Sequence, residues 1–156
     1  MRGVWHFSFT VADMDRSVDF YARVLGLELV HRQEQSNAYT AALVGFADAS
    51  LRIAQLRVPG QPRGVSSHDL ELVEYVEPRG VPHGPGRNRP GSSHLAFTVT
   101  DAIAEHERLS SQGVEFVSAP QAITAGVNAG GYTCYFLDPD GITLELVQPP
   151  VHTSQD

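Results

Sequence analysis

The segment His6-Phe-Ser-Phe-Thr-Val-Ala-Asp13 returns as His94-Leu-Ala-Phe-Thr-Val-Thr-Asp101. An internal repeat of this kind constrains a short chain strongly, because whatever one half folds into, the other half must fold into as well. The repeats also share an ending, with Leu70-Glu-Leu-Val73 matched by Leu144-Glu-Leu-Val147. Between them, residues 78–91 are more than half Pro and Gly, a composition that supports neither a helix nor a central strand. The chain therefore reads as a module over 1–77, a linker over 78–92, a second module over 93–149 and a tail over 150–156.

Each module starts with a strand. Trp5, Phe7, Phe9 and Val11 alternate with His6, Ser8 and Thr10, the period of a half-buried strand. Asp13 is placed to cap a helix whose apolar positions Met14, Val18, Tyr21 and Leu25 keep to one stripe, and Gly26 to end it. Strand candidates follow at 38–44, 51–58 and 69–76, giving βαβββ. The second module repeats the order, with a helix over 102–112 ended by Gly113 and strands around 115–118, 132–137 and 142–148.

Composition narrows the chemistry. With 18 acidic residues against 11 basic in 156, the net charge of −7 repels a phosphate backbone, so nucleic acid is not an expected partner. Every basic residue is Arg, which excludes both a Schiff-base lysine and the lysine of a phosphate-binding loop. One cysteine, Cys134, allows neither an internal disulfide nor a thiolate cluster, and a reducing cytoplasm is the expected compartment. The N-terminus has no long apolar run of the signal-peptide or membrane-spanning kind.

Within each repeat a histidine opens the first strand and a glutamate interrupts an otherwise apolar last strand. By strand parity His6 sides with Ser8 and Thr10, Glu71 with Val73 and Tyr75, His94 with Ala96 and Thr98, and Glu145 with Thr143 and Val147. If helices cover the apolar faces, the other faces of the two sheets curl into a groove holding two imidazoles and two carboxylates. Such a set balances a dication, and its oxygen ligands suit Fe, Mn, Co, Ni or Zn with open coordination positions.

The paired modules, the His strands and the run Leu137-Asp-Pro-Asp-Gly-Ile-Thr-Leu-Glu-Leu-Val147 resemble the vicinal oxygen chelate superfamily. This group includes glyoxalase I, methylmalonyl-CoA epimerase, extradiol dioxygenases and antibiotic resistance proteins. The resemblance implies an α+β fold of tandem βαβββ modules forming a curved mixed-sheet groove, and a homodimer. It places the family's divalent metal on His6, Glu71, His94 and Glu145, a set similar to that of bacterial glyoxalase I. The implied activity is a lyase or isomerase that moves a proton on a small substrate chelating through adjacent oxygens, with Glu145, then Glu71, as the base. Two alternatives stand beside it: an Fe(II)-dependent dioxygenase using two His and one Glu, and a non-catalytic binder of small molecules.

Departures from the family pattern limit the substrate. Thr10 stands where glyoxalase I has an Arg for the glutathione carboxylate, and Tyr75 where an Asn is expected, so glutathione is not supported. The stretch 37–44, which holds the strand candidate 38–44, lacks the acid that serves the epimerase there. His31, His68, His83, His106 and His152 read as surface or structural residues, and Cys134 as a small core residue. Arg52, Arg57, Arg63, Arg79, Arg87 and Arg89 read mainly as solubilising charges, with clamping of an acidic substrate group as the alternative. Gly126, Gly130 and Gly131 form a lid or a mere turn. Among Tyr39, Tyr75, Tyr132 and Tyr135, parity favours Tyr75 as the substrate-binding ring.

Overall fold

The computed structural model describes residues 1–61, 69–82 and 86–151. Arg63, His68, His83 and His152 lie outside these. The chain divides into two compact units, Met1–His83 and Gly84–Asp156, separating within the Pro/Gly stretch.

The first unit runs β1 (His6–Thr10), α1 (Met14–Asp19) with a π-helical continuation Phe20–Val24, β2 (Glu28–Gln35), α2 (Ala38–Val44), β3 (Ser50–Arg57) and β4 (Asp69–Glu77). Its sheet has the order β1-β4-β3-β2, with β1 parallel to β4 and the other pairs antiparallel. The second unit runs β5 (His94–Thr98), α3 (Ala102–Ser111), β6 (Gln121–Ala122), β7 (Tyr132–Leu137) and β8 (Thr143–Gln148), in the order β5-β8-β7-β6 with the same pattern of directions. The repeat in sequence is thus a repeat of topology.

Helices α1 and α3 start as the capping residues require. The Asp13 carboxylate accepts from Arg16 N at 3.0 Å, and Asp101 Oδ1 accepts from Ile103 N and Ala104 N at 3.0 and 2.9 Å. In the first unit Met14, Ser17 and Tyr21 are fully buried, as are Ala54, Leu56 and Leu72 on β3 and β4. Glu74, also buried, joins the helix to the sheet: its Oε2 accepts from Met14 N at 3.1 Å and from Arg52 Nη1 at 3.1 Å. In the second unit Ala102 and Leu109 of α3 are buried, as are Cys134, Phe136, Leu144 and Leu146.

The structure corrects two expectations. Residues 38–44 are the helix α2, not a strand: Asn37 Oδ1 accepts from Thr40 N at 2.9 Å, and Gly45 closes the helix in the left-handed conformation at φ 77°. The missing strand is β2, an edge strand whose polar sequence Glu-Leu-Val-His-Arg-Gln-Glu-Gln is largely exposed and so shows no apolar alternation. The region 115–118 is reduced to a bridge, Phe116 to Phe136, and the short β6 lies beyond it. Gly131 is a packing residue, since a Cβ there would collide with the Gln148 carbonyl.

Candidate functional site

In the first unit, register pairing places His6, Ser8 and Thr10 of β1 on one sheet face with Asp69, Glu71, Val73 and Tyr75 of β4, and with Leu51, Ile53 and Gln55 of β3. One end of this face is polar, with His6, Asp69, Glu71 and Gln55. The other end is apolar: Leu51 pairs with Tyr75, and the Tyr75 ring meets Phe46 edge-on at 6.0 Å. His6 Nε2 stands 3.6 Å from Glu71 Oε1, and Gln55 Nε2 donates to Glu71 Oε2 at 3.4 Å. His31 lies on the same face opposite Gln55, with its Nε2 3.2 Å from Gln33 Oε1.

In the second unit, His94, Ala96 and Thr98 share a face with Thr143, Glu145 and Val147 and with Thr133 and Tyr135. His94 Nε2 is 3.1 Å from Glu145 Oε2. The Thr133 hydroxyl donates to Glu145 Oε1 at 2.5 Å and also lies 2.9 Å from the Leu146 carbonyl. Tyr135 meets the His94 ring edge-on at 5.3 Å. A cleft of about 360 Å³ opens beside His94, lined in part by Arg87, Asn88, Ser92, Tyr135 and Thr143.

The structure therefore brings His6 to Glu71 and His94 to Glu145, one half-set in each unit. Among the described residues no group of three or more His, Cys, Asp or Glu side chains is drawn together. The chemistry of each half-set fits a divalent cation: an imidazole nitrogen and a carboxylate face each other on the polar part of a sheet.

Other residues take structural places. Arg52 and Arg57 are tied up in ion pairs, Arg52 with Asp15 and Glu74 and Arg57 with Glu28. The His106 ring packs at a tilt against Phe116, with ring centres 4.3 Å apart. Burial, and secondarily the Glu145 charge, push the Cys134 thiol up to about 11. Thr133, Tyr135 and Gln55 flank the two glutamates. The signal for all three was available, since period-two parity on β7 and β3 puts them on the glutamate faces once the register is known.

The model of the glyoxalase/bleomycin resistance protein/dioxygenase superfamily matches residues 3–146. The chain belongs to this superfamily. A superfamily relative, 2-epi-5-epi-valiolone epimerase from Actinomyces sp, is 37% identical over 151 residues, covering 94% of this chain and 79% of the epimerase. A probable lactoylglutathione lyase from Vibrio cholerae is 26% identical, covering 93% of this chain and 89% of the lyase. Among solved superfamily structures, a glyoxalase family protein from Bacillus cereus has the same fold, with a TM-score of 0.79 at 21% identity over 96% of this chain and 95% of that one.

Proposed function

We propose that this chain is a divalent-metal-dependent isomerase that moves a proton on a carbon beside a carbonyl, with epimerisation of a small hydroxyketone as the outcome. The observation that carries the reading is the duplicated pair, an imidazole Nε2 facing a carboxylate on one face of each sheet, at 3.6 and 3.1 Å. The 37% identity to an epimerase supports an isomerase over an oxygen-consuming enzyme. Thr10 and Tyr75, at the positions where glyoxalase I binds glutathione, argue against a glutathione adduct as substrate.

His6, Glu71, His94 and Glu145 would hold the ion. A bound divalent cation would supply a fixed positive charge beside two adjacent substrate oxygens, worth several kcal/mol where negative charge develops. Glu145 is the base. Its two oxygens are held separately, by Thr133 and by His94, so that the carboxylate is oriented before substrate arrives. Glu71, with contacts at 3.6 and 3.4 Å, is the more loosely held carboxylate and the second candidate for the proton. Tyr75 with Phe46 gives an apolar wall for the substrate's carbon face, and Arg87 stands in the cleft beside His94 for an acidic group. A homodimer in the cytoplasm completes the proposal; no helix among the described residues is long and apolar enough to cross a membrane.

Elemental analysis of the purified protein tests the ligand set. One divalent ion per set of four is expected, with His94→Ala and Glu145→Ala losing most of it. Variants that retain as much metal as the unsubstituted protein would overturn the assignment. Loss with Glu145→Ala but retention with Glu71→Ala would reduce it to three ligands.

A further inference from the structure

We propose that Asp69 is a positioning residue for His6: it accepts a hydrogen bond from the His6 Nδ1–H and so commits Nε2 to the ligand side of the ring. This rests on the metal-site reading above, but is separable from it by experiment.

His6 and Asp69 are directly paired in the parallel β1–β4 ladder, so their side chains leave the same face of the sheet. Strands in such a ladder are about 5 Å apart, within reach of an imidazole and a carboxylate once side-chain torsions adjust. The ring's other nitrogen, Nε2, already faces Glu71. His6 Nδ1 is buried and has no hydrogen-bond partner among the described residues, and the same is true of Asp69 Oδ1. A buried donor or acceptor left unpaired keeps the full penalty of having been taken out of water. Two such atoms on directly paired residues, one able to donate and the other to accept, each remove the other's deficit.

On β3, across β4 from β1, Arg57 is hydrogen-bonded to Glu28 and also feels the charges of Glu28 and Asp69. A histidine that ligates a metal through one nitrogen commonly donates from the other to a carboxylate, which fixes the ring and makes the ligating nitrogen more basic.

The internal repeat supplies a natural control. His94 is paired in the same way with Thr143, so the second unit has a neutral hydroxyl where the first has a carboxylate. The two histidines are thus unequal ligands, with His6 anchored from behind by a charge and His94 braced by an edge-to-face contact with the Tyr135 ring.

The test uses Asp69→Leu and Asp69→Thr. The second copies the residue that the second unit itself carries at this position, and keeps the test informative if the first fails to fold. Nitrogen-15 spectra of the histidine rings are recorded above the histidine titration range, before and after addition of Zn²⁺, and Zn²⁺ affinity is measured by competition with a chelator. In the unsubstituted protein His6 should carry its proton on Nδ1. In both variants the ring should move toward the Nε2–H form that Glu71 faces, with His94 unchanged, and Zn²⁺ affinity should fall roughly 10- to 100-fold. A His6 tautomer and a Zn²⁺ affinity that are both indifferent to Asp69 would overturn the proposal while leaving the metal site intact. A tautomer that depends on Asp69 in a protein that takes up no Zn²⁺ would sustain the pairing and overturn the metal site instead.

Discussion

Cys134 illustrates how little a residue's type says without its surroundings. It sits in β7 between Thr133 and Tyr135, which point to the Glu145 face, while its own side chain turns into the core. Burial opposes the thiolate, the Glu145 charge adds to that, and the thiol titrates near 11 instead of near 9. The thiolate is the reactive form, so at pH 8 alkylation by iodoacetamide should be about 100-fold slower in the folded protein than in the unfolded chain. Equal rates would show that the thiol is exposed and that β7 is wrongly oriented. The two glutamates contrast with it. Both lie mid-strand between leucines, yet each is half-buried with an imidazole on one side and a hydrogen-bond donor on the other.

At the scale of elements, the caps are the parts whose energetics follow most directly from sequence. Asp101→Ala removes the acceptor for two backbone amides of α3 and should cost about 1 kcal/mol, seen as a fall of roughly 2–4 °C in Tm. No change would mean that α3 is held by packing alone. What was legible in the sequence were features set by local signals: the Asp-capped helices, the glycines that end them, the strands β3, β4, β7 and β8, and the parity that puts each glutamate on its histidine's face. What was not legible depended on tertiary context. Ala-Tyr-Thr-Ala-Ala-Leu-Val looks apolar enough for a strand, and only the Asn37 cap and Gly45 mark it as α2. The edge strand β2 pairs on one side only, and its side chains need not alternate in polarity. With β2 identified, its acids can be placed. Glu28 is paired with Arg57. Glu34, close to Arg52, is exposed on the sheet face that carries Glu74.

For the molecule as a whole, the duplicated topology gives two copies of one device, a sheet with its apolar face under a helix and its other face carrying a histidine–glutamate pair. The copies have diverged around that pair, with Asp69 and Gln55 in one and Thr143, Thr133 and Tyr135 in the other. The central claim is that Glu145 moves a proton on carbon in the metal-loaded protein. The measurement is solvent-deuterium incorporation into small α-hydroxyketones, followed by NMR, for the unsubstituted protein and for Glu145→Gln with its metal content checked. The account predicts exchange at the carbon beside the carbonyl, falling about 10²- to 10⁴-fold in Glu145→Gln while appreciable metal remains. A metal-loaded protein that exchanges none of these protons, or a Glu145→Gln variant that exchanges them at the full rate, would contradict it.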